Sequence, residues 1–278
     1  MRKIKIKARA KVNFTLDVSG KKDGYHELKT LVASVSLSDD VIIKKRKDDL
    51  ISLKVIGRAG CSASENNAFK AGKLFKKTFN TKGFDIVLKK RIPIGSGLGG
   101  SSADAAGVLS GLKTLFDISD DMTVLANALG SDTAYMLRGG FAVLEGRGEK
   151  ITPIESKEKF YLLLLKADGS VITKDAYSKF DETGVSEPEK TPKAAYALKN
   201  GDISEFLGSL KNDLYIPATA ILPEIEENLE TLSSVAPSVM SGSGATTFAV
   251  FTDEKSRDLA YKFLKKQLKG KLIKAETV

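Results

Sequence analysis

Gly95, Gly97, Gly99 and Gly100, followed at once by Ser101 and Ser102, are the residues whose types and spacing best suit chemistry, and that chemistry is phosphate binding. Glycine lacks Cβ, so its backbone reaches positive φ and can come close to another group. A loop of such residues can turn its N–H groups inward. Behind it, Ser101-Ser102-Ala103-Asp104-Ala105-Ala106 joins capping hydroxyls to good helix formers, which predicts a helix start. A helix N-terminus carries about half a positive charge and unpaired N–H donors, so loop plus helix makes a phosphate cradle. Two common nucleotide loops fit poorly. A dinucleotide fingerprint through Gly95, Gly97 and Gly100 needs an unbroken strand before it and a strand with an acidic end after it. Here Pro93 breaks the strand and no clear acidic-ended strand follows. No Gly-Lys-Ser/Thr closes the loop, as a Walker motif requires. On these residues alone, a phosphate cradle and a structural turn both stay open.

Three other groups bear chemistry. Tyr25-His26 sets a phenol beside an imidazole, and Asp132 places a carboxylate just beyond a helix end. In isolation the first is an incidental pair and the second a turn or cap residue. Ser241-Gly242-Ser243-Gly244-Ala245 is a second glycine-rich turn.

The elements that must position these residues follow from period. Residues 3–7 and 11–18 read as strands, with Val12, Phe14, Leu16 and Val18 on one face and Lys11, Asn13, Thr15 and Asp17 on a polar face expected to meet water. Leu28–Leu37, Val41–Lys45 and Ile51–Ile56 read as strands separated by Ser38-Asp39-Asp40 and Asp48-Asp49. A helix is expected from Asn66 to Phe79 and a strand over Phe84–Leu88, which delivers the chain to the glycine loop. Helices follow at 101–115 and 121–129, then a strand over Gly139–Glu145, a turn at Gly146–Glu149 and a linker over Thr152–Lys159. Beyond it come an apolar strand at Tyr161–Lys166, helices near 173–180, 191–199, 202–211 and 223–234, a strand at Thr246–Phe251, a helix over 254–267 and a strand at 271–274. The order is α+β in both halves.

Composition narrows the function classes. The 278 residues suffice for one large or two modest domains, and 42% hydrophobic with 28% charged residues fits a soluble globular protein. The net charge of +9 arises from 44 bases scattered among 35 acids, which favours anionic small molecules over nucleic acid. One cysteine, Cys61, cannot form an internal disulfide, and one histidine cannot anchor a metal cluster. No apolar run reaches about 18 residues and no signal-peptide core follows the N-terminus. A cytoplasmic protein without membrane partners, monomer or homodimer, is expected.

Taken together, Lys11-Val12-Asn13, Asp23-Gly24-Tyr25-His26, the loop Pro93–Ala106, Leu129-Gly130-Ser131-Asp132 with Gly146-Arg147-Gly148-Glu149, and Ser241-Gly242-Ser243-Gly244 resemble, in that order, the superfamily of galacto-, homoserine, mevalonate and phosphomevalonate (GHMP) kinases. Within it, Lys-x-Asn and Asp-Gly-Tyr-His resemble the kinases of a cytidine-diphosphate methylerythritol. The resemblance runs from about residue 8 to 252 and implies a two-domain GHMP kinase fold. Residues 1–155 would form a ribosomal protein S5 domain 2-like domain with the ATP loop, and 156–278 a ferredoxin-like domain. It implies ATP-dependent phosphorylation of the substrate's 2-hydroxyl in the non-mevalonate isoprenoid pathway, with Mg2+ accompanying ATP.

By the same resemblance Asp132 would be the catalytic base and Lys11 its cationic neighbour, with Asn13 on the substrate. Tyr25 and Tyr177 would sandwich cytosine while His26 binds its polar edge. ATP would meet Asn66, Pro93, Gly95, Gly97, Leu98, Gly99, Gly100, Ser101, Ser102, Asp104 and Thr173. Ser101 stands where members have a third glycine and Ala103 where they have a second serine, so the phosphate-facing hydroxyl, Ser101 or Ser102, stays open. Ala134 replaces a usual proline after the Asp132 motif, and the proline expected before Val171–Tyr177 is absent. A sister alcohol kinase and a non-catalytic nucleotide-binding regulator are the alternatives; Tyr25, His26 and Tyr177 oppose the first, and Lys11 with Asp132 the second.

Overall fold

The computed structural model describes residues 3–22, 24–58, 60–183, 189–268 and 272–278. Asp23 of the Asp-Gly-Tyr-His motif lies outside them. The chain runs β1 Lys3–Asn13, β2 Thr15–Lys22, β3 Tyr25–Lys45, β4 Ile51–Ile56, α1 Asn67–Phe79, β5 Phe84–Lys89, α2 Gly100–Phe116, α3 Thr123–Leu129 and α4 Ser131–Arg138. It continues through β6 Phe141–Gly146, β7 Lys150–Ile154, β8 Tyr161–Lys166, α5 Thr173–Thr183, α6 Thr191–Asn200, α7 Ile203–Gly208, β9 Lys211–Asn212 and α8 Tyr215–Ile221. It closes with α9 Glu224–Ser233, β10 Ser238–Ser241, β11 Thr246–Phe251, α10 Glu254–Lys265 and β12 Leu272–Glu276.

Contacts divide the chain into two units. One holds Met1–Ala10, Leu37–Ile94 and Gly99–Gly139; the other holds Lys11–Ser36, Gly95–Leu98 and Gly140–Val278. In the first, β4 runs parallel to β5, and β5 pairs antiparallel with Asp40–Lys45 of β3. Parallel neighbours need a crossover, which α1 supplies. Helix α2 is small-residue and buried on most sides because it lies against the sheet. A Cβ on Gly107 would stand 2.9 Å from Val41, and one on Gly111 would stand 2.7 Å from Ile43, so only glycine permits that approach.

In the second unit, β8, α9, β10, β11, α10 and β12 come in the order β-α-β-β-α-β, with α5–α8 and β9 inserted between β8 and α9; the sheet order is β10-β11-β8-β12 and its pairings are antiparallel. That is the ferredoxin-like arrangement. Leu163, Leu165, Leu232, Ala249 and Leu264 form its core. The same unit pairs β2 with the start of β3, β3 with β6, β6 with β7, and β2 with β9. Phe14 gathers Phe141, Phe160, Phe206 and Phe248 around it, with ring centroids 5.1–6.2 Å away.

Several local expectations are corrected. Ser38-Asp39-Asp40 does not separate two strands; β3 is continuous through it because both carboxylates find partners in the fold. Thr152–Lys159 is not all linker, since β7 pairs with β6 and its Pro153 sits on a strand with no second neighbour among the described residues, where a missing N–H is tolerated. The helix expected over 202–211 stops at Gly208, and Lys211–Asn212 pairs with β2 instead.

Candidate active site

The glycine loop has the backbone its composition implies. Gly95, Gly97 and Gly99 take φ of +59°, +72° and +70°, and Gly99 caps α2 in the left-handed conformation. Ala103 donates its N–H to Gly99 O at 2.9 Å, which starts the helix. Ser101 is exposed and Ser102 half-buried at its first turn. Pro93 is half-buried, and Ile92 packs so close to Gly100 that a Cβ there would lie 2.9 Å from Ile92 Cγ2.

Within the second unit, three motifs that are remote in sequence meet. Lys11 donates its N–H to Leu98 O at 3.0 Å, and its Nζ donates to Asn13 Oδ1 at 2.6 Å. Asn13 Nδ2 donates to Thr30 Oγ1 at 2.8 Å, and Asn13 N–H to Ser241 Oγ at 3.2 Å. Ser241 Oγ in turn donates to Gly97 O at 3.1 Å. The Ser-Gly-Ser-Gly turn therefore seats the middle of the glycine loop, and a Cβ on Gly97 would fall 2.2 Å from Ser241 O. Thr173, at the start of α5, joins the same turn through Ser243 Oγ, 3.1 Å away.

The polar strand face does not meet water. Lys11, Asn13, Thr15 and Asp17 are all buried, each with partners. Thr15 meets Thr191, and Asp17 accepts the Thr191 N–H and an ion pair from Lys211.

His26 and Tyr177 are brought together, with ring centroids 4.8 Å apart and planes 20° from parallel. His26 Nε2 donates to Asp181 Oδ1 at 2.7 Å, and Lys21 Nζ pairs with Asp181 Oδ2 at 2.6 Å. The Lys21 ammonium and the His26 ring hold the Asp181 carboxyl below the usual carboxylate range. A carboxylate only accepts, so Nε2 carries the proton of this hydrogen bond. Tyr25 is exposed, and the Arg147 guanidinium lies over its ring at 3.9 Å.

In the first unit, Asn66 caps α1, its Oδ1 accepting the Ala68 N–H at 2.9 Å. Asp132 stands in the first turn of α4, a helix beginning one residue before it, where a carboxylate complements the helix dipole. Asp132 does follow the end of α3, but it lies within the first turn of a new helix rather than in a turn or at a cap. Asp104 is buried on α2 and faces Lys90, and burial pushes its carboxyl above the usual range.

The sequence singled out none of Asp181, Thr30 and Lys90, and it showed Arg147 only as part of a turn motif. Asp181 lies four residues past Tyr177 on α5, one turn along the same face, a spacing that could have suggested it. Thr30 and Lys90 carry no local signal.

The family description "GHMP kinases N terminal domain" matches residues 66–142, and "GHMP kinases C terminal" matches 194–270. With its glycine loop and ferredoxin-like unit, the chain has the fold of the GHMP kinases. A 4-diphosphocytidyl-2-C-methyl-D-erythritol kinase of Clostridium beijerinckii is 34% identical, covering 97% of this chain and 99% of that protein. One from Acetivibrio thermocellus is 35% identical over 95% and 96%. The chain belongs to the 4-diphosphocytidyl-2-C-methyl-D-erythritol kinase family. A crystal structure of 4-(cytidine 5'-diphospho)-2C-methyl-D-erythritol kinase superposes with a TM-score of 0.82 at 29% identity over 98% of both chains. The L. major mevalonate kinase shares the fold, with a TM-score of 0.76 at 15% identity over 99% of this chain and 96% of that one.

Proposed function

We propose that this chain transfers the γ-phosphoryl group of ATP to the 2-hydroxyl of 4-diphosphocytidyl-2-C-methyl-D-erythritol, a step of the non-mevalonate isoprenoid pathway. The observation that carries the reading is identity of 34–35% across nearly the whole length of relatives bearing that name. The family matches to 66–142 and 194–270 fall on either side of the division at 155/156 that the reading adopts.

In this reading the N–H groups of the glycine loop and the start of α2 hold the phosphates. The fit is supported by a backbone at positive φ that leaves no room for side chains at Gly97. Ser101 and Ser102 offer hydroxyls at the same helix end. Mg2+ enters with the nucleotide, as an ion that keeps several waters and binds substrate phosphates rather than a protein cage. Asp132 takes the proton of the attacking hydroxyl, and Lys11, oriented by Asn13, neutralises charge on the phosphoryl group. His26, its Nε2 held by Asp181, turns its other ring nitrogen to the polar edge of cytosine while Tyr25 and Tyr177 supply stacking surface.

The test is a coupled ADP-release assay with ATP against cytidyl methylerythritol, homoserine, mevalonate and galactose, with the product identified by mass spectrometry. Phosphorylation of the cytidyl substrate alone is expected. Transfer only to another alcohol would make the chain a sister kinase, and ATP binding without transfer to any would make it a regulator.

A further inference from the structure

The glycine loop is tied at both ends by one buried lysine. Lys90 ends just before the loop, and its Nζ contacts Asp39 Oδ2 on β3 and, at 2.5 Å, Asp104 Oδ2 on the second turn of α2. Its side chain is 13% exposed, against 0% for Asp39 and 3% for Asp104. Asp39 Oδ1 also accepts the backbone N–H groups of Arg91 and, at 2.9 Å, Ile92, the residues leading into the loop. One carboxylate thus fixes the entry strand, the other rides on the exit helix, and Lys90 bridges them. The remaining oxygen of Asp104, Oδ1, is buried without a hydrogen-bond partner, so Lys90 is what compensates its charge. Burial alone would lower the Lys90 pKa, but the two carboxylates outweigh it and the ammonium is held charged. The bridge closes the stretch from residue 90 to 104, which contains every glycine of the loop.

We propose that Lys90 is a positioning residue for the nucleotide loop, setting the separation of its entry strand and exit helix through Asp39 and Asp104. It acts on the loop and not on the nucleotide. The same geometry makes Asp104 the anchor of Lys90 rather than a ligand of ATP. The proposal rests on the reading of this loop as the ATP cradle.

The experiment measures the affinity of the non-hydrolysable analogue AMPPNP with Mg2+ by calorimetry, which needs no acceptor, on folded wild type, Lys90→Met, Lys90→Arg, Asp104→Asn and the double variant Lys90→Met with Asp104→Asn. Lys90→Met should weaken binding about tenfold, because a loop misplaced by a fraction of an ångström loses several N–H contacts together. Lys90→Arg, which keeps the charge, should recover most of the affinity, and Asp104→Asn alone, whose amide oxygen still accepts from Lys90, should lose less than threefold. The double variant should regain melting temperature over Lys90→Met, because no carboxylate on α2 is then stranded, yet keep the weak affinity. In turnover assays the KM for ATP should rise while that for the acceptor stays. A Lys90→Met protein binding AMPPNP within twofold of wild type overturns the proposal, as does an Asp104→Asn protein that loses as much as Lys90→Met. A wild type that binds no AMPPNP would instead remove the cradle reading itself.

Discussion

Lys11, Asn13, Thr15 and Asp17 alternate on one strand, and every one of them is buried with a polar partner. Burying so much polarity is tolerable only when each group is satisfied, and the Lys11–Asn13–Thr30 and Asn13–Ser241–Gly97 bonds do that while orienting a cation. In the proposed function Asp132 is the carboxylate that serves as base for the attacking hydroxyl. Asp132→Asn should cut kcat by about 10²–10⁴ with AMPPNP affinity unchanged, since only proton transfer is lost. Turnover near that of wild type would remove it from the role. His26 and Tyr177 form the second test, because each ring supports the other. Alanine at either should raise the acceptor KM about tenfold with the ATP KM unaltered, and the double variant should fall short of the product of the two. Steady-state kinetics with each substrate varied in turn decides it; an unchanged acceptor KM in both single variants would refute the stacking role.

Elements add constraints that single residues do not. Gly97 is required less for its own flexibility than because β10 and the following turn lie against it, with Ser241 O where a Cβ would go. Gly97→Ala should lower AMPPNP affinity by more than about tenfold in protein that still gives a cooperative melt, whereas Gly20→Ala, with nothing within 4 Å of the new Cβ, should leave it intact. Equal affinities in the two variants would sink that account. Strand β3 supplies a pH test. Lys7 foremost, with Lys5 and Arg91, holds the Asp40 carboxyl well below its usual range, although burial opposes them. A depressed carboxyl contributes stability that is present above its unfolded pKa, about 3.9, and is lost as pH falls through the folded value. Urea denaturation of wild type and Asp40→Asn should therefore show a gap at neutral pH that narrows below about pH 4. A gap independent of pH would mean that Asp40 acts by packing alone.

For the molecule as a whole, charge is the property that composition makes testable. A net charge of +9 on an enzyme whose proposed substrates are a triphosphate and a diphosphate should speed encounter at low ionic strength. Raising salt from about 0.05 to 0.5 M should lower kcat/KM for both substrates while changing kcat little, because screening acts on approach rather than on bound groups. A salt-independent kcat/KM, read from initial rates, would exclude steering by this charge.

What the sequence determined by itself was local. Glycine spacing at 95–100, the apolar periods of β4, β5, β8, β11, α1 and α10, and the order of the short motifs are properties of adjacent residues, and they suffice for the α+β class, the glycine turn and the family. Tertiary structure decided whatever depends on distant partners. Ser38-Asp39-Asp40 looks like a strand break until Lys90, Lys7 and the Arg91 and Ile92 amides cover its carboxylates, from 51–53 residues away or from β1. Lys11 and Asn13 look solvated until Ser241, 228 residues beyond Asn13, reaches the strand. His26 looks like an incidental neighbour of Tyr25 until Tyr177 stacks on it and Asp181 takes its Nε2 proton in a hydrogen bond. A polar side chain's meaning lies in what satisfies it after burial, and those partners are chosen by the folded chain rather than by the residues beside it.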